Sequence, residues 1–436
     1  MVINKAFTYA LLTAVTLMPW NATAVNRFGI KNILPSNMGE TYPILKSSPS
    51  NFNLNSSVNG VSSLASNVAE NMLVKSLLEI TQGKNQQALD TINALISSTP
   101  NFKLAHLVRG DLLMAQGKYL QSFGSADSNP TAAVKDLQDE ARMRIEHYLA
   151  SQSQQKMPNL LIAPNASQPY IIVVDTDKSR LYLYKNENGS LVYQKDFYVT
   201  VGKNGIEKQA EGDKRTPLGV YFTKARLTQR LPDLYGDGAY PLNYPNEWDN
   251  THQRKGSGIW LHGTPSDTYS RPPRASDGCV VLSNQDLRTL APILQSGKVP
   301  VIITKNLEWL TESNASSAEK EAVKTALDST INQWINDWRT QNTAQYLSHY
   351  SKDFLTDGIN YAQWSEHKYR VQANKPKISV NVTDISMFSY PDAGKKLVVV
   401  DFTQDFKSPH LNNLMQKRQY WILENNQWKI IYEGAA

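Results

Sequence analysis

The chain has a single cysteine, Cys279, in 436 residues. One thiol cannot form an internal disulfide, so the fold must rest on core packing, and the thiol is either an inert buried group or there for its chemistry. Charge of one sign is also scarce: 45 Lys and Arg against 39 Asp and Glu give a formal net charge of +6, spread without a dense basic block. That pattern suits a solvated surface, argues against nucleic-acid binding, and remains compatible with an anionic extracytoplasmic polymer. Of the seven histidines, none falls with cysteine or carboxylates at metal-ligand spacing, so neither metal nor cofactor is expected. Long apolar runs are missing as well. The stretch Ala6 to Pro19 spans about 14 residues where a membrane span needs roughly 20. With Lys5 before it and Ala22-Thr23-Ala24 after it, residues 1–24 read as an export signal, leaving a product with no stable transmembrane anchor.

What remains has a length that predicts two or three domains. Residues 25–67, rich in Asn, Ser and Pro, read as a loop or extended arm. From Val68 the pattern is helical. "LVKSLLEITQGK" from Leu73 and "LVRGDLLMAQGK" from Leu107 align at an offset of 34 and share Leu, Val, Leu, Gln, Gly and Lys. Residues 68–150 therefore resemble a tetratricopeptide-like helical region. Two such units bury little alone, so this region is expected to pack on the rest of the protein or to serve homo-oligomer or partner contacts. Residues 151–167, rich in Gln, Ser, Pro and Asn, read as a linker.

From residue 168 to 306 the period changes to that of strands. "YIIVVDTDKSRLYLYKNENGSLVYQKDFYVTVG" carries turn signals at Asp175 to Lys178 and at Asn188-Gly189, and strand character resumes at "GVYFTKARL", "GIWLHG" and "VPVIIT". One helix stands out, Gln285 to Leu294, with Ser283 as its cap and Asp286 three residues on. This is a mainly β domain. Residues 307–436 run from helices, with an apolar stripe of Ile331, Trp334, Ile335 and Trp338, to strands that end in a hairpin at Asn425-Asn426. The order resembles the α+β cone of nuclear transport factor 2-like domains. Trp334, Trp338 and Trp421 are expected in its core, with a pocket lining as the alternative.

Cysteine catalysis needs a thiolate, a base and donors for an oxyanion. His262 closes the strand "GIWL" and precedes Gly263, while Cys279 follows Gly278, whose missing side chain permits a tight turn with open backbone N–H groups. The loop between them, "SRPPRAS", carries Arg271 and Arg274. "LHGTP" at 261–265, "SDGCVVLSN" at 276–284 and "TPLGVYF" at 216–222 together resemble the L,D-transpeptidase (YkuD-type) catalytic domain over about 168–305.

That resemblance implies Cys279 as nucleophile, His262 as base, and the Gly263 carbonyl orienting the imidazole, with Ser276 and Gly278 shaping the turn. It further implies acyl transfer on peptidoglycan stem peptides in the periplasm, through a Cys279 thioester with loss of D-alanine. The acceptor is an amine for a transpeptidase and water for an L,D-carboxypeptidase. Two positions depart from the family pattern: Asp277 stands where many members have histidine, and Val281 where many have an arginine that holds a substrate carboxylate. Arg271 or Arg274 could supply that guanidinium. Trp260 either walls the site or fills the core. The three-part order resembles the cell-shape L,D-carboxypeptidases of helical bacteria. A wall-binding scaffold without chemistry is the reading from another class.

Overall fold

The computed structural model describes residues 68–117, 123–124, 131–151, 157–310, 315–374, 377–391, 394–409 and 411–436. The expected export signal (1–24) and arm (25–67) lie outside the described residues. The chain divides into two compact units, one ending at Gln152 and the other beginning at Ser153.

The first unit is helical, with α1 (Val68–Thr81), α2 (Asn85–Ser98), α3 (Lys103–Met114) and α4 (Ala132–Ser151). Helix α3 falls where an offset of 34 places a second copy of α1, and the aligned pair Val74 and Val108 are both buried. The first "QGK" forms the turn out of α1, with Gly83 in the left-handed region at φ +74°. The helix that would complete the second repeat lies mostly outside the described residues.

The second unit opens with a departure from expectation. The stretch read as a linker contains β1 (Met157–Pro158) and β2 (Leu161–Ala163). "LLIA" is an apolar run too short to periodise, and Leu160, Leu161 and Ile162 are all buried. Then β3 (Tyr170–Asp175), β4 (Arg180–Glu187) and β5 (Ser190–Tyr198) form the expected meander, with Asn188 and Gly189 at positive φ in the second turn. After β6 (Val201–Gly202), β7 (Gly219–Phe222) is one edge of a sheet ordered β5-β4-β3-β12-β7, where β12 is Pro300–Thr304. The inner strands of this sheet are buried on both faces. Ile172, Val174, Leu181 and Leu183 point into one core, while Ile171, Val173, Tyr182 and Tyr184 meet Phe388, Leu397, Val399 and Tyr420 from the C-terminal region. That is why "YIIVVD" is a continuous apolar run and not an alternating one.

A smaller sheet packs against the first core. It is ordered β11-β9-β8, from β8 (Ala239–Pro241), β9 (Trp260–His262) and β11 (Val280–Val281). Between β8 and β9 the chain makes a long excursion that carries a short helix, α5 (Glu247–Thr251). The strand β10 (Arg274–Ser276) pairs in parallel with β6. Helix α6 (Asn284–Leu294) is capped as expected, the Ser283 hydroxyl accepting the Asp286 N–H at 3.0 Å.

After β13 (Trp309–Leu310), which pairs back to β1, come α7 (Ala315–Arg339), α8 (Thr343–Ser348), a short hairpin of β14 (Leu355–Thr356) and β15 (Ile359–Asn360), and α9 (Tyr361–Gln372). Strands β16 (Ser379–Ser389), β17 (Leu397–Lys407), β18 (Asn412–Glu424) and β19 (Gln427–Ala435) complete an antiparallel sheet ordered β19-β18-β17-β16-β2. Its last hairpin turns at Asn425 and Asn426, both left-handed, as that dipeptide favours. Trp334, Trp338 and Trp421 are buried in the core between helices and sheet. Trp338 also reaches a cavity of about 570 Å³, which Lys368 and Trp364 help line.

Candidate active site

Two adjacent parallel strands bring the His262 imidazole and the Cys279 thiol to one face. Leu261 pairs with Val280 and His262 with Val281, a register that sets Cys279 opposite Trp260. Ile259, Leu261, Val280 and Leu282 fill the core. With a two-residue period, Trp260, His262, Cys279 and Val281 share the opposite face. Trp260 is therefore not core: it is partly exposed and tilts against the Tyr235 ring at 4.9 Å, and Tyr235 in turn meets the His262 ring edge-on at 5.0 Å.

The turn before Cys279 is braced from both sides. Gly278 has φ +121°, and a Cβ there would stand 2.7 Å from the Arg215 carbonyl oxygen, so no side chain fits. Ser276, fully buried, donates to the Cys279 carbonyl at 2.7 Å and accepts the Gly278 N–H at 3.1 Å. On the other side Thr216 donates to the Gly278 carbonyl at 2.9 Å and accepts the Gly202 N–H at 2.8 Å. The expectation that the Gly278 N–H stays open is thus corrected, because Ser276 takes it.

The imidazole is held by its own neighbour. His262 Nδ1 lies 2.7 Å from the Gly263 carbonyl oxygen, which can only accept, so Nδ1 carries the proton and Nε2 keeps its lone pair. Burial lowers the His262 pKa to about 4, with Arg271 adding to the effect and the Gly263 hydrogen bond opposing it. Burial likewise pushes the Cys279 thiol up to about 11, against hydrogen bonding from the Trp260 backbone and the attraction of Arg271 and Lys208. The thiol donates to the Gly258 carbonyl at 3.2 Å. At neutral pH the resting pair is therefore neutral thiol and neutral imidazole, and the thiolate forms only as the proton leaves.

The two arginines part company. Arg271 donates from Nη2 to the Ala275 carbonyl and is close enough to act electrostatically on both His262 and Cys279. Tyr198 and Thr200 fix its backbone, donating to the Arg271 carbonyl at 3.1 and 2.9 Å. Arg274 is exposed and ion-pairs with Asp177 at 3.8 Å. Asp277 faces solvent and pairs with Lys203 at 2.9 Å.

Asn284 is a site residue that residue-by-residue reading missed. Its Oδ1 accepts the Asp237 N–H at 3.0 Å and its Nδ2 donates to the Thr264 carbonyl at 2.8 Å, tying the loop after His262 to the loop under Tyr235. A Cβ on Gly263 would stand 2.0 Å from that Oδ1, which is why the residue after His262 is glycine. The available signal was its place at the end of "SDGCVVLSN".

Residues 169–303 match the model of the YkuD family, the L,D-transpeptidase catalytic domain. The chain carries an L,D-transpeptidase catalytic domain. Residues 326–434 match the Cds6 C-terminal NTF2-like domain. Among solved structures, Bd1075 of Bdellovibrio bacteriovorus aligns with a TM-score of 0.55 and 26% identity, over 65% of this chain and 98% of that one. The helical cell shape determining protein Pgp2 of Campylobacter jejuni aligns with a TM-score of 0.55 and 23% identity, over 67% of this chain and 99% of its own. No curated protein matches the chain. The transpeptidase domain thus occupies the β region built around His262 and Cys279, and the NTF2-like domain the helix-and-sheet region after it. No helix among the described residues is long and apolar enough to cross a membrane.

Proposed function

We propose that the protein is an exported, peptidoglycan-modifying cysteine acyltransferase, an L,D-transpeptidase acting on stem tetrapeptides in the periplasm. The observation that carries this reading is the shared face of Cys279 and His262, with the imidazole locked so that Nε2 is the free nitrogen. His262 Nε2 accepts the thiol proton as sulfur attacks the carbonyl joining the third and fourth stem residues. The Cys279 N–H is the turn donor left to face the oxyanion, since that of Gly278 is bound to Ser276. Collapse breaks the peptide bond, His262 returns the proton to the leaving D-alanine amine, and a thioester on Cys279 remains. An acceptor amine then attacks and gives its proton to His262, the C–S bond breaks, and His262 passes that proton to the departing sulfur to restore the thiol. Arg271 is a cation beside the site, and it supports a substrate carboxylate in place of the arginine absent at Val281. The likeness to a cell shape determining protein extends the proposal to a role in cell shape.

Incubating the protein with disaccharide-tetrapeptide and reading the products by mass spectrometry tests this, with Cys279→Ala as control. A crosslinked dimer is the expected product. A tripeptide makes water the acceptor and the protein an L,D-carboxypeptidase, and unchanged substrate with both proteins overturns the enzymatic reading in favour of a wall-binding scaffold.

A further inference from the structure

The 242–259 excursion between β8 and β9 begins and ends beside the site, yet its apex is seated in the C-terminal domain. Here α5 supplies the seat. Trp248 is buried and packs against Tyr390 and Tyr420, at ring distances of 6.1 and 6.2 Å. Glu247 accepts from the Tyr420 hydroxyl at 2.8 Å and faces Arg418 at 3.4 Å. Asn246 and Asp249 cap the helix reciprocally, and Asn246 also donates to the Tyr390 hydroxyl at 3.0 Å. That hydroxyl passes over Gly219, where a Cβ would stand 2.5 Å from it.

The return leg leads from this seat to the sulfur. Arg254 donates to Asp249 from its side chain at 2.9 Å and from its backbone at 3.0 Å, and the Lys255 N–H reaches the Gln209 carbonyl at 3.0 Å. Three residues further on, the Gly258 carbonyl accepts the Cys279 thiol proton. An acceptor on the neutral S–H stabilises that form over the thiolate.

We propose that the C-terminal domain is a working part of the catalytic centre: Tyr390, acting through Asn246, Asp249 and Arg254, is a positioning residue that fixes the Gly258 carbonyl and with it the reactivity of Cys279. This rests on Cys279 being the nucleophile, but its test needs no substrate. The lone cysteine makes alkylation of the full chain a report on Cys279 alone.

Tyr390→Phe keeps the ring and removes the hydroxyl. The rate of iodoacetamide alkylation against pH is expected to shift to lower pH, with at least a threefold rise at pH 7.5, while turnover of the tetrapeptide falls in kcat more than in KM. Tyr346→Phe removes an equally buried hydroxyl, bonded to Tyr350 at 2.6 Å in the same domain and away from α5, and should leave the alkylation profile unchanged. A Tyr390→Phe profile identical to that of the parent overturns the proposal. So does an equal shift in both variants, which would mark general loosening. Failure of the parent to consume tetrapeptide would count against the transpeptidase reading and leave the alkylation comparison intact.

Discussion

Removing the Ser276 hydroxyl tests whether the turn that carries Cys279 is held by hydrogen bonds or by packing alone. In Ser276→Ala the Cys279 carbonyl and the Gly278 N–H each lose the partner described above, inside a turn whose φ of +121° only glycine tolerates. A buried group left without a partner costs about 1–3 kcal/mol, so two give about 2–4 kcal/mol after partial relaxation. The effect on rate should be of similar size. A nucleophile displaced by about 1 Å costs on the order of 100-fold. Thr216→Val removes the brace on the other side, and because both hydroxyls hold one residue, the double variant should deviate from additivity by about 0.5–3 kcal/mol. Denaturant midpoints give the stability half of the cycle and initial rates of D-alanine release give the other. If Ser276→Ala lost less than about 0.5 kcal/mol and kept its rate, the hydrogen-bond account of this turn would be wrong.

The pH dependence follows from the two buried groups. With His262 lowered to about 4, the acid limb of kcat/KM should lie near pH 4 and not near 6.5. The sign for stability is the same: below pH 6.5 the unfolded imidazole binds a proton that the folded one refuses until about pH 4, so stability falls as pH falls through that window. The loss is about 2 kcal/mol between pH 7 and pH 5, and His262→Asn should remove it from the denaturation midpoints. Arg271→Gln should raise the pKa of both His262 and Cys279 by deleting a nearby cation, and raise KM roughly 10- to 100-fold, the value of a charge-assisted pair. Arg274→Gln should stay within about twofold in the same assay, since its partner is Asp177 and its surroundings are solvent. Gly263→Ala should abolish turnover through collision with Asn284, and Asn284→Ala in the same chain should restore part of the lost stability on calorimetry, a non-additive pair.

The parts of the molecule legible in the sequence are those where one local rule decides. The Ser283 cap and the left-handed Asn425-Asn426 turn each follow from short-range chemistry. Cys279 and His262 stand out in the sequence because a lone thiol, preceded by glycine and followed by an apolar strand, has few structural reasons to be there. What escaped was whatever depends on a distant partner. "LLIA" looked like part of a linker because the sheet it completes is built from residues more than 200 positions later. Helix α5 was missed because its burial comes from Tyr390 and Tyr420, and five residues cannot show a period. Trp260 went either way on composition, and only the register of β9 against β11 turns it out of the core. Asn284 gave no sign of its two backbone contacts because both loops it joins are defined by the fold.

The edge strand β2 has a practical corollary. The chain lays down one margin of the C-terminal sheet before it builds the catalytic domain, with Leu161 beside Phe388 and Ala163 beside Met387. A fragment covering 307–436 alone would be cut without its outermost ribbon, leaving bare amide and carbonyl groups and an empty apolar slot along that border. Such borders recruit whatever extended peptide is at hand, so the isolated tail should self-associate, whereas a piece starting near Met157 should not.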